Sequence, residues 1–535
     1  MLSDLKNVPP GQLVLAAGVC FLLYKVYIYL TLGAVERRFI KEHGCRPAPA
    51  YPHKEPVLGL DFAIISAKNA KSKSFLQTVQ NRFRMNGNTY TFNFMGKRAF
   101  TTCEPENIKA ILATKFQDFA LTPLRKKAFQ PLFGKGIFTT DGGEWEHSRA
   151  MLRPNFVRSQ VADLDMIEKH VQNLIKEIPT DGSTVDLQDL FFDLTLDTAT
   201  EFLFGESALS IGTKTSNNNE RFSDIFTYCT TSIGNWARIG VFFGIPDKRY
   251  HRYVDGIHEF VDRYVKKALE HHQAQQSGLI TSEKTESRYI FLYELINRTQ
   301  DPIELRSEAL NILLAGRDTT ASLLGALWNV LSKRPDVWSK LLQEVDGLNG
   351  KKPTFEEVKD MKYLRFCVNE GRISLPPPPQ HQVYVTGYGT NHYSYTLALR
   401  LYPVVPINGR TAVRDTFVPV GGGPDGKSPV FLRKGTLMSY SVFAMHRRED
   451  LYGPDAAEYR PERWEKLRSA WDFLPFNGGP RICLGQQLAL IEASYTTIRL
   501  MQTFRTIESR DSHPWTEQLT VTCASEYGAR VALGP

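Results

Sequence analysis

Reactive residue types are concentrated in Phe476-Asn477-Gly478-Gly479-Pro480-Arg481-Ile482-Cys483-Leu484-Gly485. The glycines and the proline break regular structure and set a tight turn. Gln486-Gln487-Leu488-Ala489-Leu490-Ile491-Glu492-Ala493 then reads as the start of a helix. A sulfur at a helix N-terminus faces the positive end of the dipole and a set of oriented amides. Both favour thiolate, the reactive and metal-binding form. Phe476 can pack near the sulfur, and Arg481 can meet a carboxylate. The other six of the 7 cysteines, Cys20, Cys45, Cys103, Cys229, Cys367 and Cys523, are scattered and never spaced C-x-x-C. That pattern argues against a disulfide framework and a structural zinc site. Each of the six reads as a small buried hydrophobe.

A second chemical string, Ala315-Gly316-Arg317-Asp318-Thr319-Thr320, lies within a long helical pattern from Ala309 to Leu331. Glycine inside a helix costs about 1 kcal/mol relative to alanine, so something approaches the backbone closely there. Asp318 and Thr319 offer an acid and a hydroxyl for moving protons, and neighbouring hydroxyls can bond to carbonyls one turn back. Alone, the string also fits an ordinary amphipathic helix. Trp145-Glu146-His147-Ser148-Arg149 places Trp145 and Arg149 on one helical face, which by itself also fits surface packing. Pro461-Glu462-Arg463-Trp464 is a further compact motif.

Together these strings resemble the cytochrome P-450 superfamily, through F-x-x-G-x-R-x-C-x-G, A-G-x-D-T-T, W-x-x-x-R and P-E-R-F/W. The resemblance implies a mainly α fold with small β-sheets (α+β) and haem b as cofactor. It makes Cys483 the axial iron ligand and puts Phe476 beside it. Arg481, Trp145 and Arg149 then hold the haem propionates, while Thr319 and Asp318 deliver protons on the distal face. It also implies electrons from NADPH through a separate membrane-bound reductase docking on the basic proximal side. Val420 to Gly426, Lys434-Gly435, His446-Arg447, Tyr452-Gly453, Leu474-Pro475 and Phe133 to Phe138 are similar to the fungal alkane and fatty-acid hydroxylase family. Terminal (omega) hydroxylation of n-alkanes or fatty acids is the implied activity, with Phe226 to Ile239 in the pocket wall. Other readings on the same scaffold are a monooxygenase of a terpenoid, sterol or xenobiotic, and an inactive product. A membrane scaffold without cofactor is the remaining one.

One motif is broken. The superfamily's E-x-x-R helix needs glutamate and arginine one turn apart, but Asn369-Glu370-Gly371-Arg372-Ile373 continues without it. Leu399-Arg400-Leu401-Tyr402-Pro403 resumes the pattern after residues 371–397, which contain Pro376 to Pro379 and no helical or strand period. Removing 371–397 yields Glu-Ala-Leu-Arg. Gly371-Arg372 is encodable as G-GTAGG, Thr390-Asn391 as ACTAAC, and the segment's end with CTAG. The segment therefore reads as a translated, retained intron, the alternative being a genuine surface insertion. Transcripts that are only ever unspliced would refute the intron. As written, the chain is expected to be poorly stable or to load haem badly.

The elements that must carry these residues span 535 positions, with a hydrophobic share of 42% that permits a large core. A net charge of +8 suits an anionic membrane surface or an acidic protein and is too weak to argue for nucleic acid. Leu13 to Val35 is apolar apart from Lys25. As one helix it is about 34 Å long, enough to cross a bilayer. Arg37, Arg38 and Lys41 follow as a cytosolic stop-transfer flank, with a cleaved signal peptide as the alternative. Residues 1–36 are thus expected to form a single-pass anchor in the endoplasmic reticulum membrane. Residues 37–55 form a basic, proline-rich hinge lifting the body away. Residues 56–535 form the cytosolic catalytic domain, interrupted at 371–397. Strands are expected near Thr89–Phe94 and Val413–Val420.

Overall fold

The computed structural model describes residues 10–156, 163–211, 220–239, 247–277, 289–369, 399–468 and 470–535. Helices dominate, and the largest core forms where they cross.

The apolar N-terminus is not one helix. Helix α1 covers Pro10–Leu30 and a second helix, Leu32–Glu42, follows after Thr31. The Thr31 hydroxyl donates to the Tyr27 carbonyl at 2.6 Å and competes with helix propagation at the break. Leu15, Phe21, Leu22, Leu23 and Tyr27 of α1 are exposed. Lys25 lies outside the described side chains. Among the described residues, no helix is long and apolar enough to cross a membrane.

The expected hinge is stitched down. The Arg46 amide donates to the Pro429 carbonyl, Thr91 N–H to Pro49 and Tyr51 N–H to Thr91, each at 2.8 Å. Prolines fit here because an edge position asks for no donor from every residue. Phe39 stacks on His43 and packs against Phe417 and Phe431, while Arg433 pairs with Glu36. The segment is a mount rather than a spacer.

The main sheet runs in the order Thr89–Phe94, Lys97–Thr102, Leu437–Ser441, Ile407–Ala412, Phe119–Ala120. Lys97–Thr102 pairs parallel with Leu437–Ser441 (Ala99 opposite Leu437), and the other neighbours are antiparallel. The second expected strand begins at Thr416 and forms a hairpin with Ser428–Leu432.

Five helices frame the site. Helix α2, Gly142–Leu152, carries Trp145 and Arg149. Helix α3, Leu187–Phe204, starts on an Asp186 cap and ends at left-handed Gly205. Helix α4 is Phe222–Ile239. Helix α5, Pro302–Ser332, has Asp301 as its cap and Pro302 at its first position, where a missing N–H costs nothing. It is buried on nearly every side and runs through the middle of the core, its polar side chains included. Helix α6, Gln486–Thr503, follows the cysteine loop. At residue 316 a β-carbon would come within 3.3 Å of Ala199 on α3, so glycine permits the close crossing of α3 and α5. The Thr195 hydroxyl donates to the Arg317 carbonyl at 2.9 Å in that crossing.

Candidate active site

The cysteine loop is fixed by its glycines. Gly479 sits at φ +64, and a β-carbon there would fall 1.9 Å from the Leu112 carbonyl oxygen. Asn477 is also left-handed at φ 63, and its side-chain oxygen accepts from the Tyr440 hydroxyl at 3.0 Å. The Cys483 amide closes the turn onto the Phe476 carbonyl at 3.0 Å. The sulfur lies deep in the protein yet is exposed, because it opens into an internal cavity.

That cavity encloses about 2020 Å³ of empty space, counting its open mouth. Thr319, Thr320, Gly316 and Ala315 of α5 line it together with Phe476, Arg481, Trp145 and Arg149. Apolar wall comes from Leu121, Phe129, Ile137, Ile312, Val404 and Val521. No residue of 226–238 lines it. Instead α4 is held to α5 by Arg317, which donates to Ser223 and Thr227, and to the 519–520 turn by Arg238.

Burial overrides the helix end at Cys483. The thiol is pushed up to about 11 by desolvation, against the opposing pull of the Gly485 amide and Arg149. The amide at the helix start does pull toward thiolate, as expected, and burial outweighs it. A metal cation must supply the missing stabilisation, as coordination deprotonates a thiol.

Four guanidinium groups face the same space. Arg481 donates to Asp141 at 2.7 Å and to the Thr140 carbonyl at 2.9 Å, and lies 4.4 Å over the Trp145 ring. Arg149 donates to the Ile482 carbonyl at 3.0 Å. Arg125 and Arg410 complete the set. Burial first, and the neighbouring cations next, hold Arg125 down to about 10; Arg481 is likewise held at about 10, mainly by burial. Among the described residues lining the cavity, Glu492 is the only acid. This excess of buried positive charge needs anions. A porphyrin with two carboxylates and a metal open to sulfur answers both the cations and the thiol, so the residues fit haem. Arg125 and Arg410 escaped sequence reasoning because they arrive from separate elements. Each is an arginine in an otherwise unremarkable local string.

Asp318 and Thr319 do not act from one face. Thr319 lines the cavity and its hydroxyl donates to the Ala315 carbonyl at 2.5 Å. Asp318, one residue earlier and so about 100° around the helix, is absent from the lining. It pairs with Arg317 at 2.6 Å and faces Thr230 on α4; burial raises its carboxyl.

Arg463 of the Pro-Glu-Arg-Trp motif donates to carbonyls of Tyr452, Asp455 and Glu458 and to the Asp455 carboxylate. Arg400 is fully buried and donates to carbonyls of His446, Ala456 and Glu458. Both arginines thus grip one loop. Glu370 and 371–397 lie outside the described residues.

With the geometry in place, similarity to known proteins becomes informative. The Cytochrome P450 family profile matches residues 49–372 and 398–527. The chain is 45% identical to Cytochrome P450 monooxygenase himC of Aspergillus japonicus, over 97% of this chain and 89% of that protein. It is 43% identical to Cytochrome P450 monooxygenase fsdH of Fusarium heterosporum, over 96% and 86%. It is 39% identical to Cytochrome P450 52A13 of Debaryomyces hansenii, over 93% of each. A match of that extent, on a chain whose cysteine loop and central helix wall one cavity, makes this protein a member of the cytochrome P450 family and a monooxygenase.

Proposed function

We propose that this monooxygenase hydroxylates long alkyl chains at or near their ends, with n-alkanes or fatty acids as substrates. The observation that carries the reading is the cavity itself. One end holds the Cys483 sulfur and four guanidinium groups, and the remaining wall is largely apolar. Cys483 would ligate the iron of haem b, and Arg125, Arg149, Arg410 and Arg481 would hold its propionates. A thiolate-ligated haem, when bound, supplies the activation of dioxygen for insertion of one oxygen atom into a C–H bond. Thr319 stands in the wall where a hydroxyl can order a proton donor. The apolar wall orients a flexible chain and excludes water from the reacting end.

The motifs similar to the fungal alkane and fatty-acid hydroxylases support the substrate class. The exposed apolar side chains of α1 support attachment to the endoplasmic reticulum membrane, where such substrates partition and where an NADPH-dependent reductase can meet the cytosolic body. Relatives of comparable identity bear only the name monooxygenase, which favours a second reading: another lipophilic substrate in the same apolar cavity. Purified protein is to be assayed with dodecane and lauric acid against a terpene and a sterol. Terminal alcohols from the first pair support the proposal, and turnover of only the second pair sinks it.

A further inference from the structure

Helix α4 stays out of the cavity between 226 and 238, yet it touches a segment that enters it. That segment is the turn 520–522 of the hairpin Glu517–Leu519 and Cys523–Ser525, and its Val521 and Thr522 line the cavity. Two α4 residues meet the turn, one helical turn apart and so on one face. At Gly234 a β-carbon would fall 2.2 Å from the Thr520 carbonyl oxygen, so glycine lets helix and turn come this close. Arg238 forks over the same backbone. One guanidinium nitrogen donates to the Thr520 carbonyl and the other to the Leu519 carbonyl, both at 2.6 Å.

The turn leaves those carbonyls to the arginine. The Thr522 amide, which could close the turn on the Thr520 carbonyl, donates to the Thr520 hydroxyl at 3.1 Å instead. The Cys523 amide donates to the Val404 carbonyl at 2.9 Å and ties a third lining residue to the same unit. Among the described residues, no carboxylate forms an ion pair with Arg238. Glu517, in the same hairpin, accepts from the Leu76 amide at 3.0 Å. Burial holds the Arg238 guanidinium down to about 10. A buried cation without an acid is costly unless its donors are filled. A planar fork fills them on two successive carbonyls, a geometry that the compact ammonium of lysine does not match.

We propose that Arg238, through the turn 520–522, sets how far Val521 and Thr522 stand into the cavity, and so how tightly a long apolar chain is held there. Arg238 does not line the cavity and is a positioning residue; Gly234 supplies the close approach it needs. The inference rests on the monooxygenase reading of the cavity and is independent of which lipophilic substrate is taken.

The test reads binding rather than turnover, so a wrong substrate class cannot imitate its failure. Full-length, haem-loaded wild type and Arg238→Met are titrated with imidazole and with 1-dodecylimidazole. The ring nitrogen of either ligand binds haem iron and shifts its Soret band, and the dodecyl tail must find room along the cavity wall. Arg238→Met should bind imidazole within about twofold of wild type but 1-dodecylimidazole at least about tenfold more weakly, as if roughly two methylenes had lost their wall. Val521→Ala trims the wall itself and should weaken the same ligand. In the double variant the two losses should fall short of additive, since both act through one turn. Unchanged affinity for the long ligand, an equal loss for bare imidazole, or fully additive losses overturns the proposal. Should Arg238→Met not fold, Gly234→Ala carries the same test: a loss confined to the long ligand supports the clamp, and unchanged affinity overturns it.

Discussion

At the scale of single residues, the cysteine loop is where backbone and chemistry are least separable. Gly479→Ala would drive a β-carbon into the Leu112 carbonyl at a left-handed φ. The loop must then shift, and the carbon-monoxide difference spectrum should lose its thiolate-type Soret band even with Cys483 intact. Cys483→Ser should lose that band with the fold preserved; a surviving thiolate band in either variant counts against the assigned ligand. Glu308 on α5 is a second buried acid, with Ser148 and the Ile137 amide nearby. Burial raises it from 4.5 to about 7. The folded state thus holds this proton more tightly than the unfolded one. Its contribution is complete below pH 4.5 and is lost as pH rises through about 7, at most roughly 3 kcal/mol. Glu308→Gln should flatten the thermal melting temperature between about pH 5 and 8 relative to wild type. A variant that keeps the wild-type slope would place the titration elsewhere.

Elements decide what the sequence could and could not announce. The Phe476–Gly485 turn is legible because its glycines answer local backbone demands, and Ala309–Leu331 is legible because a long apolar period has few alternatives. The face taken by Asp318 is not, since it depends on where Arg317 finds Ser223 and Thr227 on α4. Nor are Arg125 and Arg410, whose meeting with Arg481 is made by tertiary packing. The burial that opposes the helix end at Cys483 is illegible for a related reason: a helix end is local, but burial belongs to the whole core. The interrupted E-x-x-R motif tests the same boundary. Arg400 reaches the loop gripped by Arg463 although 371–397 precede it, and the family profile passes from 372 to 398. Deleting 371–397 should bring Glu370 back one turn from Arg400. Restoring a buried ion pair is worth about 3–5 kcal/mol when the alternative is a lone charge. The deletion variant should bind more haem per chain and melt at a higher temperature, whereas equal loading and melting would identify the segment as a benign insertion.

For the whole molecule, the question is what the N-terminus does for a body that has its own core. Helix α1 leaves Leu15, Phe21, Leu22 and Leu23 exposed, while the next helix is packed: Phe39 lies 5.3 Å from Phe431, and Glu36 pairs with Arg433. Exposed apolar surface of that kind marks a membrane or protein contact. The two helices therefore predict different outcomes for two truncations. Every described side chain of residues 11–31 is exposed, so removing residues 1–31 should leave the packed body intact. The product should leave the vesicle pellet for the supernatant in a sedimentation assay while keeping its melting temperature and haem content. Removing residues 1–44 also strips Phe39, His43 and Glu36 from the Thr416–Leu432 hairpin. Lost burial of one aromatic costs about 1.5–3 kcal/mol, so this product should melt measurably lower than the shorter truncation. Equal melting temperatures would mean that the Leu32–Glu42 helix is a passive tether. Continued sedimentation of the 1–31 truncation would mean that the body holds the membrane through a surface of its own.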